Sequence, residues 1–219
     1  MTPFPLVLSS PSGGGKTTIA KALLAARDDV GYSVSATSRP PRPGEVDGRD
    51  YFFLARPEFR RRVDAGEFAE WAEYGGEWYG TLTAQLESVL ASGRHCVLDI
   101  EIHGARAVRA LHPEAVLIFI VPPSTPELIA RLGGTRGTRS ASLLKRLRRA
   151  VEELSHVEDY DYVVVNADRT EALADISAIL EAESLRPRRD PELLAHLEHL
   201  GGEIAALADT FERTGGLAI

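Results

Sequence analysis

The chain has 219 residues, of which 44% are apolar and 26% charged, the arithmetic of one compact soluble unit, and this excludes the disordered, collagenous and membrane-embedded classes. A chain this long buries roughly 70% of the surface its unfolded form exposes, so it needs neither a disulfide nor a structural metal, and its single cysteine, Cys96, reads as a buried core thiol in a reducing compartment. The formal charge of −7 disfavours nucleic acid and anionic membranes as partners, so any anion site must be local.

The first residues, Met1-Thr2-Pro3-Phe4-Pro5, lack the basic and apolar regions of a secretion signal, and a cytoplasmic location is expected. Leu6-Val7-Leu8 predicts a strand, followed by a Ser/Pro/Gly cluster and a helix with Ile19, Leu23 and Leu24 on one face. Residues 32–80 are dense in Tyr, Trp, Phe, Gly and Pro, include β-like pieces such as Tyr51-Phe52-Phe53-Leu54, and read as a small inserted β-rich subdomain. Further buried strands are expected at Val97 to Ile100, Val116 to Val121 and Tyr162 to Val165. Helices are expected at about 82–92, 104–111, 125–132, 142–156 and 170–185. Short apolar strands alternating with helices predict an α/β fold, a parallel sheet with helices on both faces that binds its ligands at the strand carboxyl ends.

Residues 133–142 are rich in Gly and Arg with no large apolar side chain, the composition of a mobile lid. The resulting organisation is a core over 1–31 and 82–186, an inserted subdomain over 32–81, and a C-terminal helical extension over 187–219. That extension carries Leu193, Leu197, Leu200, Ile204, Leu207 and Phe211 at heptad spacing, interrupted at Gly201-Gly202. Its apolar stripe is expected to pack against another copy, as a homodimer, or against the core. Glu192, His196 and His199 read as a solvated helix face in preference to a metal-ligand set.

The chemistry concentrates in Ser10-Pro11-Ser12-Gly13-Gly14-Gly15-Lys16-Thr17, which fits the phosphate-loop pattern in all but its first position, where serine replaces glycine. Glycines let successive N–H groups converge on phosphate oxygens, the helix N-terminus adds its dipole, the lysine reaches the β- and γ-phosphates, and the threonine hydroxyl binds Mg²⁺. Only three of the 25 cationic residues are lysine, and Lys16 is one of them. Asp99, ending the strand Val97-Leu98, is the candidate Walker-B carboxylate and second Mg²⁺ ligand. Asp99 and Glu101 are expected to have different roles unless the strand ends between them.

The inserted segment reads Ser35-Ala36-Thr37-Ser38-Arg39-Pro40-Pro41-Arg42-Pro43-Gly44-Glu45, then Gly48-Arg49-Asp50-Tyr51, Glu70-Trp71-Ala72 and Tyr79-Gly80-Thr81, followed later by Leu98-Asp99-Ile100. With the phosphate loop, these motifs in this order resemble guanylate kinase, a P-loop nucleoside monophosphate kinase family, over roughly residues 5–185. The resemblance implies a parallel-sheet P-loop core, an inserted GMP-binding subdomain, an Arg/Gly-rich lid, and transfer of the γ-phosphoryl group of MgATP to GMP in purine nucleotide metabolism. It implies that Arg39, Arg42, Tyr51 and Tyr79 hold the GMP phosphate, where guanidinium forks and phenols suit a dianion. By the same resemblance Glu70 reads guanine, with Ser35 and Thr81 as hydroxyl partners. Glu101 stands where the family usually has aspartate. On the ATP side the resemblance implies Ser12, Gly13, Gly14, Gly15, Lys16, Thr17 and Thr18, with Arg131 and Asn166 beside the nucleotide; Asn166 reads equally as a turn former. Lys16, Arg136 and Arg146 are implied to stabilise the transferring phosphoryl group. Arg136 and Arg146 stand ten residues apart, one fewer than the family pattern, and Arg139 falls where acidic residues are common. Two other readings remain, a non-catalytic interaction module of the same fold and a P-loop kinase for another phosphorylated small molecule.

Overall fold

The computed structural model describes residues 2–133 and 140–215, so Arg136, Arg139 and most of the expected lid lie outside the described residues. The chain opens with β1 (Pro5–Ser9), α1 (Lys16–Ala26) and β2 (Val30–Tyr32). It continues with β3 (Ala36–Thr37), β4 (Phe52–Phe53), α2 (Arg56–Asp64), β5 (Phe68–Tyr74) and β6 (Glu77–Leu82). Next come α3 (Thr83–Ala91), β7 (His95–Asp99), α4 (Ile102–Leu111), β8 (Val116–Val121), α5 (Thr125–Arg131), α6 (Ala141–Leu154) and β9 (Tyr162–Val165). The last helices are α7 (Arg169–Ser184) and α8 (Pro191–Thr214).

The central sheet is parallel and five-stranded in the order β2-β7-β1-β8-β9. β1 and most of β7 and β8 are buried, as continuous apolar runs covered on both faces should be. Side chains alternate across the pleat: Val7, Cys96, Leu98 and Leu117 share one cluster with Leu86 and Val89 of α3 and Ala105 and Val108 of α4. The smaller sheet, β4-β3-β6-β5, is mixed, its core being Ala36, Phe59 and Leu82 with Phe52, Phe68 and Trp78 against them. Phe59, from α2, stacks on Phe68 of β5 at 4.5 Å between ring centres.

Two elements depart from the expectation for residues 32–80. β2 reaches Tyr32 and pairs with β7, so the core extends past the expected boundary; Val30-Gly31-Tyr32 is too short and too Gly-interrupted to show an apolar run. α2 is a helix inside the β-rich stretch, carried by good helix formers and a proline in its first turn while burying only Phe59.

Pro3–Ser177 forms one compact unit, and Thr2 with residues 178–215 forms a second. Within the second, Glu183 is buried and pairs with Arg189 at 2.9 Å and Arg186 at 2.8 Å. Asp190 caps α8 by accepting the Leu193 N–H at 3.0 Å, with Pro191 in the first turn. The break expected at Gly201-Gly202 is absent: α8 runs through both glycines. Their helix-propensity cost of about 2 kcal/mol relative to alanine is distributed over a long helix rich in Leu, Ala and Glu. The six heptad side chains are 39–58% exposed.

Candidate active site

Parallel pairing of β1 with β7 in the register Leu8↔Asp99 places the Asp99 carboxylate where β1 gives way to the Gly-rich loop. Ser9 Oγ donates to Ile100 O at 2.8 Å and ties the two strand ends together. Gly15 caps α1 with φ 98°, and a Cβ there would lie 2.4 Å from Asn166 Nδ2, so both backbone and space demand glycine. Lys16 and Thr17 therefore open α1, whose unpaired N–H groups and dipole favour an anion. Ser10, standing where glycine is usual, is buried, and Gly14 N–H closes the loop on Pro11 O at 2.8 Å. Lys16 Nζ lies 3.0 Å from Asp99 Oδ1, and the Thr17 hydroxyl donates to Asp99 Oδ2 at 2.5 Å. A hydroxyl and a carboxylate converging at the foot of such a loop form a hard-oxygen pair that fits Mg²⁺. Among the described residues no three His, Cys, Asp or Glu side chains converge as a metal-binding group, and His199 pairs instead with Glu203 at 3.5 Å.

Beside the loop, a cavity of about 300 Å³ is reached by Lys16, Thr17 and Asp99 from the core and by Ser35, Tyr51, Glu70 and Tyr79 from the small-sheet segment. A bulge between Phe68 and Glu70 shifts the β5–β6 register so that Glu70 faces Thr81, whose hydroxyl donates to Glu70 Oε1 at 2.6 Å. The other oxygen lies against α4, where a Cβ on Gly104 would stand 2.7 Å from Oε2. Burial pushes the Glu70 carboxyl up, Thr81 pulls it the other way, and Glu101 adds to the rise. β7 ends at Asp99, between the two acids, so Glu101 occupies the N-cap position of α4 and lines the same cavity as Asp99.

Arg39 is 9% exposed and held by Glu45 through two bonds of 2.6 and 2.7 Å, its guanidinium 4.9 Å over the Tyr51 ring and beside the Tyr79 hydroxyl. Arg42 differs: its side chain is exposed, and its backbone N–H donates to Glu45 Oε2 at 2.7 Å. On the far side of the loop, Asn166 Nδ2 donates to Gly14 O at 3.0 Å, and Arg131 donates to Asn166 O at 3.0 Å and to Gly14 O at 3.4 Å. The Asn166 side chain thus braces the loop. Arg146 reaches Ser12 Oγ at 3.4 Å and Leu132 O at 2.9 Å.

The structure therefore gathers Ser12 to Thr17, Asp99, Arg131, Arg146 and Asn166 around the loop, and Ser35, Tyr51, Glu70, Tyr79, Thr81 and Glu101 around the cavity. Thr18 lines the loop cleft but is exposed. Sequence reasoning missed Tyr32, Tyr74, His103 and Gly104, which line the cavity, and Arg149 and Glu153, which line the loop cleft. For the last pair a signal exists: Arg146, Arg149 and Glu153 recur at spacings of three and four and share one face of α6.

A family model described as guanylate kinase matches residues 2–183. Guanylate kinases of Maricaulis maris and Symbiobacterium thermophilum are 48% and 47% identical to the chain, covering 86% and 84% of it and 87% and 88% of their own lengths. The crystal structure of guanylate kinase from Anaplasma phagocytophilum superposes with a TM-score of 0.74 at 39% identity, covering 90% of this chain and 95% of that one. A phosphate loop that keeps its Gly15-Lys16-Thr17 end, a carboxylate paired to its lysine and threonine, and a match spanning both sheets lead to one assignment: the chain belongs to the guanylate kinase family.

Proposed function

We propose that the chain is an ATP:GMP phosphotransferase that moves the γ-phosphoryl group of ATP to GMP, giving ADP and GDP. The observation that carries this reading is the placement of Lys16, Thr17 and Asp99 on the cavity that also holds Glu70. In this reading ATP lies on Ser12 to Thr18 with Arg131 and Asn166 bracing the loop, and GMP lies in the cavity. Lys16, with Arg146 and Arg136, offsets charge on the transferring group, while Arg39, Arg42, Tyr51 and Tyr79 fix the acceptor phosphate in line. Thr17 and Asp99 would hold Mg²⁺, which when bound supplies charge neutralisation at the phosphates. The protein forms no covalent intermediate, and its contribution is orientation and electrostatic stabilisation.

The base is selected by Glu70, which when ionised offers acceptors only, as guanine's N1–H and N2–H₂ require. AMP would set adenine's bare N1 lone pair against a buried carboxylate, and sites of this kind reject such analogues by about 10⁴ to 10⁵. Glu101 borders the cavity and is read as a support to the base pocket. Both nucleotides are intracellular metabolites, so the reading includes a cytoplasmic location, and the exposed stripe of α8 is read as a homodimer contact. The interaction-module alternative has no use for an intact Lys16, Thr17 and Asp99. Coupled assays with MgATP and GMP, dGMP, AMP, CMP or UMP test the reading: strong preference for GMP is expected, and equal use of AMP overturns it. Glu70→Gln should lower kcat/KM for GMP at least about tenfold, or about 1.4 kcal/mol, and narrow the preference over AMP.

A further inference from the structure

A line of contacts joins the phosphate loop to the acceptor-phosphate arginine by way of side chains that sequence reasoning missed. Glu153 of α6 accepts the Ser12 N–H at 3.0 Å through one oxygen and Arg149 Nε at 2.9 Å through the other. The Arg149 guanidinium also pairs with Glu101 and lies 4.7 Å over the ring of Tyr74, at the end of β5. Tyr74 meets Tyr79 edge-on at 6.4 Å, Tyr79 meets Tyr51 at 6.0 Å, and Arg39 covers Tyr51. Arg149 is the link in this line at which α6 meets the small sheet. A planar guanidinium can give its edges to two carboxylates and its face to a ring at once, and lysine cannot.

We propose that Arg149 is a positioning residue for phosphoryl transfer, coupling an occupied phosphate loop to the geometry of the acceptor site through Tyr74. A phosphate on the loop competes with Glu153 for the Ser12 N–H. Glu153 then turns both oxygens to Arg149, which firms the guanidinium against Tyr74 and holds the tyrosines that flank Arg39. Donor occupancy thus raises acceptor affinity, and by linkage the acceptor raises donor affinity by the same factor.

The proposal rests on the assignment of donor and acceptor sites made above, and the experiment separates the two. GMP is titrated calorimetrically with and without a non-hydrolysable ATP analogue. The wild-type protein should bind GMP at least about fivefold more tightly when the analogue is present. Arg149→Ala and Tyr74→Ala should lose most of that gain, read as the ratio of GMP affinities with and without the analogue in the same variant, and the double variant should be no worse than either single one. Tyr74→Phe keeps the ring and should keep the gain. Tyr74 is 48% exposed, so its truncation leaves the core intact and the test stands even where Arg149→Ala fails to fold. A wild-type protein with no gain, a Tyr74→Ala or Arg149→Ala protein that retains it, or a Tyr74→Phe protein that loses it overturns the proposal. Arg39→Ala should weaken GMP both with and without the analogue; if it weakens neither, the acceptor assignment fails, whatever the coupling.

Discussion

Glu70 can lie against α4 only because position 104 has no side chain: a Cβ there would come within 2.7 Å of Oε2. Gly104→Ala sets two effects against each other. Alanine improves helix propensity by about 1 kcal/mol, while the new methyl displaces the flexible end of Glu70. Steady-state kinetics should show KM for GMP rising at least about tenfold, equivalent to about 1.4 kcal/mol, with the thermal midpoint unchanged or higher. Unaltered GMP kinetics would remove Glu70 as the fixed reader of the base. Glu45 gives a pH signature of its own. The Arg39 guanidinium, with the Arg42 N–H behind it, holds the Glu45 carboxyl down at about 2 from an ordinary 4.5. A depressed carboxyl contributes stability that is present above the unfolded value and lost as pH falls through the folded one. Melting curves of Glu45→Gln should therefore lie below the parent at neutral pH and converge with it as pH falls from about 4.5 to about 2. Glu70 was legible in the sequence because its motif is contiguous, Glu70-Trp71-Ala72. Gly104 was not, since its reason for being glycine is a side chain 34 positions away.

At the scale of elements, α1 and the loop before it are one device, and Lys16→Met tests it by keeping an unbranched stem while removing the charge paired to Asp99 at 3.0 Å. Phosphoryl transfer should be abolished with the melting curve essentially kept; near-normal turnover of the purified variant would sink the phosphate-loop assignment. The segment between β3 and β4 invites a comparison of its arginines. Arg39→Ala removes a charge-assisted contact worth about 1.5 to 3 kcal/mol and also leaves Glu45 without its bidentate partner near an incoming phosphate. Arg42→Ala removes an exposed cation and leaves the Arg39–Glu45 pair in place. Calorimetry should show GMP weakened more by Arg39→Ala than by Arg42→Ala, and ATP little affected by either. β1, β7 and β8 could be read from sequence because buried parallel strands are unbroken apolar runs. The bulge before Glu70 could not, because it depends on pairing with β6, and α2 hides its one buried aromatic among charged neighbours.

For the whole molecule, the exposed apolar stripe of α8 carries the proposed homodimer contact. Deleting residues 191–219 and measuring mass by light scattering tests the homodimer: the full chain should run as a dimer and the truncated chain as a monomer, and an unchanged mass excludes the extension as the contact. The heptad spacing was legible, whereas the continuity of the helix through Gly201-Gly202 was not, because two glycines read locally as a stop while the surrounding turns carry the helix across them. The central sheet, finally, holds a recorder of its own. Cys96 is the chain's single cysteine, fully buried in β7, and burial pushes its thiol up to about 12. A thiol reagent can modify it only while that sheet is open, so the labelling rate counts openings. Nucleotides that bind the closed form should slow the count in step with their own occupancy.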